Sequence, residues 1–375
     1  MKQKNIFFIF FVLLVTLVAL IILRDIGYRN FFLFITSLTL GSVFYLSFFG
    51  FTGGWKKFIL NGETLGVRSQ ILLIILATLL TFPLINLPSP FFNFSHGGSY
   101  APIGFSLIIG SFLFGAAMQI AGGCASGTLF SAGGGNTKML LVLISFIIGS
   151  TIGTYYFDTW SNWPSLPIIK FDSNVYLIFV LILGIFVYKK LIKIDSNITP
   201  IFNFKNFKQS TKQHIIPIWF AILSITILYL LILILSGHPW SVTFGFSLWG
   251  SKFANIIGID STNWSFWNSN SFTQKFIQES ILQENTSLTN IGLMSGALLT
   301  SIYLGNFFHI TKINSKEIFK IIVAGLVMGI GARLAFGCNI GAMLGGIVSG
   351  SLHGWVWLIC AFAGSYCILK VRWHE

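Results

Sequence analysis

Carboxylates are scarce in this chain. Ten Asp and Glu are spread over 375 residues, and charged residues of both signs make up only 9%. Nearly all ten fall between apolar runs, so no buried carboxylate relay for proton coupling is expected. That favours a channel-like or facilitated route over a proton-driven pump. Histidine is equally thin. His96, His238, His309 and His353 lie far apart, which excludes a metal site with ordinary ligand spacing, and no cofactor is expected. Four cysteines are too few for a disulfide scaffold. Cys360 and Cys367 share the last apolar run and read as small buried hydrophobes.

What the chain has is apolar length. It is 54% hydrophobic with a mean hydropathy of +0.82, which excludes a soluble domain. Runs of about 18 or more apolar residues span a bilayer as helices, and a barrel would alternate instead. The fold class expected is an all-α polytopic membrane protein of nine or ten transmembrane helices. The net charge of +13 does not mark a nucleic-acid binder, because the basic residues lie between apolar segments and build no domain. Spans are expected near 5–23, 30–51, 70–87, 101–121, 138–157, 174–188, 215–236, 288–308, 318–335 and 352–370. The first reads as a retained helix, since "RDIGYRN" follows it without a small-residue cleavage site. Segment 240–258 is short and reads as interfacial or half-inserted.

Lys and Arg favour the cytoplasmic side. Loop 189–212, with Lys189, Lys190, Lys193, Lys205, Lys208 and Lys212, anchors the orientation. Counting from there puts both termini inside, on a side holding 16 of the 23 basic residues. Arg24, Arg29, Lys170, Lys252 and Lys275 fall outside. Segments 82–100 and 260–287 face outward as well.

Two internal matches appear. "FGFTGGWKKF" at 49–58 pairs with "FGFSLWGSKF" at 244–253, and "GAAMQIAGGCASG" at 115–127 pairs with "GIGARLAFGCNIG" at 329–341. The second repeats Gly115, Ala121, Gly123, Cys124 and Gly127 as Gly329, Ala335, Gly337, Cys338 and Gly341. Two matches in the same order imply two homologous halves. The expected organisation is an N-terminal hairpin (1–48), a first repeat (49–157), a connecting segment with two helices (158–243) and a second repeat (244–375), all in one membrane domain. Span 70–87 runs outward and its counterpart 288–308 runs inward, so the halves are inverted. Inverted repeats with broken helices place a substrate site near the midplane.

Each half offers a helix, a glycine-flanked cysteine, a short re-entrant half-helix and a return. Such half-helices would aim free N–H groups and the positive end of their dipoles at the cysteine turns, which suits an anion. A thiol is a weak, polarisable donor that fits a soft sulfur-bearing ion better than a hard oxyanion. The candidate pathway residues are Cys124, Cys338, Gly123, Gly127, Gly337, Gly341 and Asn339. Arg333 lies inside a span, where a charge implies a partner or a polar cavity, and Gln119 takes its place in the first half. Lys57 and Lys252 would draw anions to the two mouths.

The sequence resembles the YeeE/YedE family of sulfur-compound transporters. The resemblance rests on "GGCASGTLFSAGGGN", "ARLAFGCNIGAMLGGIVSGSLHGWVW" and "GHPWSVTFGFSLWGSKF" and covers the chain from about residue 40 onward. It implies an inverted-repeat helical fold in the bacterial inner membrane and uptake of thiosulfate or a related anion. It also implies that Cys124 and Cys338 pass the ion between them through S–H contacts, and that a separate cytoplasmic TusA-like sulfur carrier is the partner. Members with the best-defined pathway carry a further cysteine in the first short segment, where this chain has Gly50 or a neighbour. The competing reading is a membrane sulfurtransferase or redox protein that carries persulfide on the same cysteines.

Overall fold

The computed structural model describes residues 2–87, 96–195, 199–201, 216–307 and 314–372. His309, Lys205, Lys208 and Lys212 lie outside the described residues. Ten helices among those described are long and apolar enough to cross a membrane, in agreement with the fold class read from hydropathy. They are α1 (Lys2–Asp25), α2 (Tyr28–Ser47), α4 (Leu65–Ile85), α5 (Phe105–Ala121), α7 (Thr137–Tyr155), α9 (Asn174–Ile194), α10 (Ile218–Ser236), α14 (Asn285–Leu304), α15 (Ser315–Leu334) and α17 (Leu352–Arg372). Between them lie the short helices α3 (Phe51–Asn61), α6 (Ala125–Gly133), α8 (Phe157–Ser161), α11 (Thr243–Ile256), α12 (Ser265–Asn268) and α13 (Ser271–Gln278). A π-helical turn (Asn339–Leu344) continues into α16 (Gly345–Val348). The described residues hold one two-stranded ribbon, β1 (Ile103–Gly104) against β2 (Ser165–Leu166).

Two boundaries differ from the sequence reading for physical reasons. Helix α9 runs past residue 188 to Ile194, because lysines extend a helix end by letting their stems lie on apolar surface while the amine reaches water. Lys190 does so with its Nζ 4.9 Å from the Phe186 ring centroid. Helix α4 starts at Leu65 and takes in Arg68, which is buried and paired with a distant carboxylate. The 240–258 segment is the 14-residue helix α11. At 1.5 Å per residue it covers about 21 Å, short of the hydrocarbon core.

Helices pair in matched sets. α5 packs along α17 and α15 along α7, while α5 and α15 also touch each other. α2 packs on α14, and α10 packs on α4. The closest approaches use glycines. A Cβ at Gly149 would sit 2.1 Å from the Leu326 carbonyl oxygen, and one at Gly364 would sit 2.1 Å from that of Phe112. A Cβ at Gly115 would sit 1.9 Å from the Ala361 oxygen, and one at Gly329 2.4 Å from that of Phe146. Lipid gives little hydrophobic drive between helices, so association relies on such close backbone contact. α1 and α9 bury least of their length and flank the bundle.

Candidate functional site

Both cysteine turns lie in the buried centre. Cys124 is 1% exposed and Cys338 is fully buried. Cys124 immediately precedes α6 in extended geometry, and its carbonyl accepts the first helical bond from Thr128 at 2.8 Å. Its sulfur lies 3.5 Å from the Ser126 hydroxyl. A Cβ at Gly127 would stand 3.5 Å from that sulfur, so Gly127 leaves the space in front of the thiol open. Cys338 precedes the π-turn in the same way, and its carbonyl accepts from Ala342 at 2.9 Å and Met343 at 3.2 Å. The backbone N–H groups of Ile340 and Gly341 point at its sulfur. α6 touches the π-turn, and each cysteine immediately precedes one of these two segments. Two turns 214 residues apart in sequence therefore meet at one place.

The turn before each thiol is tight. Gly337 has φ +150° and bonds through its N–H to the Ala332 carbonyl at 2.8 Å. Its own carbonyl accepts from the Trp357 indole at 3.2 Å. A Cβ there would lie 2.8 Å from the Ala342 nitrogen. Gly123 sits against Met139 and Thr128, each 3.4 Å from an added Cβ. One residue earlier, the first half has Gly122 at φ +86° and the second has Phe336 at φ +59°. A left-handed conformation is cheap for glycine and costs another L-residue roughly 1–2 kcal/mol.

Polar groups collect around the turns. Asn339 is fully buried, and neither its amide oxygen nor its amide nitrogen has a hydrogen-bond partner among the described residues. The same holds for the Thr128 and Thr52 hydroxyls, the Gln119 Oε1 and the Trp240 Nε1. Gln119 is held by its amide nitrogen, which donates to the Thr52 carbonyl at 3.4 Å. A buried polar group without a partner costs about 1–3 kcal/mol, so this is an expensive place to leave donors and acceptors unmatched.

A cavity of about 640 Å³ is lined by Ser99, Ser241, Phe336 and Gly341 together with Arg29, His238, Glu284 and Thr286. The Ser99 hydroxyl donates to the Gly341 carbonyl at 3.0 Å, and its backbone N–H donates to Ser349 at 2.9 Å. Glu284 accepts from the N–H groups of Thr286 and Ser287, each at 2.6 Å. Burial pushes its carboxyl up from the ordinary carboxylate range, and those two N–H groups oppose the shift. Arg29 donates from Nε to the Leu235 carbonyl. Sequence reasoning missed Arg29, His238, Glu284 and Thr286 as the lining of one cavity. They come from three separated segments, and only the fold brings them together.

The remaining expected residues stand elsewhere. Arg333 is buried near the end of α15, its guanidinium 4.2 Å from the Phe266 ring centroid. Lys252 donates to the Ile277 carbonyl at 2.8 Å and to that of Glu279 at 2.6 Å. Burial lowers its pKa, with the Glu279 carboxylate opposing. Lys57 is exposed and lies 3.7 Å from Glu63. Among the described residues no three His, Cys, Asp or Glu side chains gather as a metal site would require.

Ten helices long and apolar enough to cross a membrane, with two buried, glycine-flanked cysteine turns among them, define a multi-pass membrane protein. The chain belongs to the sulphur transport family, which matches residues 46–367. It is 25% identical over 280 residues to the thiosulfate transporter TsuA of Spirochaeta thermophila, covering 72% of this chain and 78% of that one. It is 28% identical over 132 residues to the probable transporter YedE of Escherichia coli K12, and 28% over 138 residues to that of Salmonella typhimurium LT2. Each of these two matches spans 35% of this chain and 32% of the relative.

Proposed function

We propose that this protein imports thiosulfate or a related sulfur anion across the bacterial inner membrane, with both termini in the cytoplasm. The observation that carries the reading is the contact between the two short helical segments that Cys124 and Cys338 begin, with both cysteines buried. A dianion entering there finds the N–H groups that begin α6 and the π-turn. Its terminal sulfur finds two thiols, and its oxygens find the unmatched amide of Asn339. Family membership and the activity named for the spirochaete relative support the same reading.

The two halves are read as inverted repeats. The matched packing of α5 on α17 and α15 on α7 supports this, as do the paired glycine contacts. The pairing of α2 with α14 and of α10 with α4 carries the correspondence beyond residues 49–157 and 244–375. The protein is a transporter and not an enzyme on this reading. A soluble TusA-like carrier would take the ion's sulfur on the cytoplasmic side.

The test is uptake of radiolabelled thiosulfate into proteoliposomes, comparing wild type with Cys338→Ala and Cys124→Ala, with sulfate as competitor. Uptake that resists sulfate and disappears in both variants is the expected result. Normal uptake in both variants would remove the thiols from the route. A persulfide found on either cysteine by intact mass after turnover would replace transport with covalent sulfur handling.

A further inference from the structure

The two halves place different residues at one conformation. Gly122 and Phe336 occupy the same position relative to their cysteines, two residues before Cys124 and Cys338 respectively. Both have left-handed backbones, at φ +86° and φ +59°. Glycine adopts that geometry freely, and phenylalanine is an uncommon occupant of it. Backbone geometry alone therefore favours glycine at both positions, and the ring at 336 is there for what the ring does.

Its surroundings say what that is. Phe336 and Gly341 both line the 640 Å³ cavity. Cys338 lies between them in sequence yet is fully buried. The Phe336 ring meets Trp160 edge-on, with centroids 5.9 Å apart, which restrains it. In the first half the equivalent site has only the Met139 methyl, 3.4 Å from an added Cβ.

We propose that Phe336 is the barrier between this cavity and the Cys338 thiol, and that it sets which ions reach the thiol. The inference rests on the transport reading for the nature of the ion. An aromatic constriction turns away strongly hydrated ions by dewetting. An anion with a weakly hydrated sulfur end passes with a smaller penalty. The barrier is one-sided, because its counterpart has no side chain.

The test is the rate at which Cys338 in the full-length protein reacts with a charged, membrane-impermeant methanethiosulfonate. The reagent is applied from each face of sealed vesicles in turn, and the modified peptide is read by mass spectrometry. Phe336→Gly keeps the backbone geometry and removes the ring. Phe336→Asn is a second small residue tolerant of that geometry. Phe336→Leu keeps apolar bulk. The expected result is a gain of about tenfold or more in labelling for the Gly and Asn variants, from the cavity face alone, with Leu near wild type. The barrier is overturned if Gly and Asn label at the wild-type rate, or if wild type labels as fast as a free small thiol. Loss of fold in both small variants would also overturn it, by making the ring a structural support. Thiosulfate uptake by wild type, run in parallel, separates this from failure of the transport reading. Labelling that follows the ring without any uptake would sink transport and leave the barrier standing.

Discussion

The Arg333 guanidinium stands 4.2 Å from the centroid of the Phe266 ring, and its Nε has no hydrogen-bond partner among the described residues. A cation near the end of a spanning helix is thus met by an aromatic face from the 260–287 segment. Such a contact contributes roughly 0.5 to 2 kcal/mol, more as water is excluded. It screens the charge without cancelling it, so the arginine still projects positive potential.

Arg333→Leu is therefore expected to raise the KM for thiosulfate severalfold with a smaller change in kcat, because it removes attraction and leaves the thiol turns in place. Phe266→Ala is expected to lower thermal stability while uptake survives. Initial-rate uptake over a range of thiosulfate concentrations, beside melting of the purified variants, separates the two. An unchanged KM in Arg333→Leu would show the charge to be purely structural.

A second relationship ties distant segments together. Arg68 Nη2 lies 3.7 Å from Asp195 Oδ2, with both side chains buried. The same carboxylate oxygen accepts from the Thr64 backbone N–H at 3.0 Å and its hydroxyl at 2.7 Å. The Arg68 Nη2 also reaches the Thr199 carbonyl at 2.9 Å. Removing one partner of a buried pair costs about 3–5 kcal/mol, since the other charge is stranded, whereas replacing both by apolar groups is often near neutral. Asp195→Leu is therefore expected to lose several degrees of melting temperature, and the double variant with Arg68→Leu to recover much of the loss. Additive losses would contradict the pairing.

The spans were legible because lipid leaves the backbone one common solution, and ten apolar runs announce it. Both cysteine turns were legible too, since glycine and cysteine recur there at matching positions. Asp195 and Glu284 were not. By sequence each lies in a loop, at the edge of α9 and of α14. Their burial follows from where those helix ends dock, which no local pattern encodes. Lys252 looked like a free cation at a mouth. The structure gives it the Ile277 and Glu279 carbonyls, acceptors that carry no side-chain signature. Phe336 escaped notice for a similar reason. Its meaning depends on a backbone angle and on comparison with Gly122.

His96 offers a pH test at the cavity rim. Its neighbour Gly97 donates to the Gly237 carbonyl at 2.8 Å, tying this strap to the cavity wall. Burial holds the imidazole pKa below 6.5, the Arg29 charge adds to the shift, and a backbone bond with Ile234 opposes it. The fold thus prefers neutral His96. For a histidine with a lowered folded pKa, this contribution is fully present above the unfolded pKa and fades as pH falls through the folded value. Wild type is expected to lose melting temperature between about pH 7 and about pH 5, where histidine titrates. His96→Gln, which cannot take up the proton, is expected to lose less. Equal losses over that range would assign the acid sensitivity to groups other than His96.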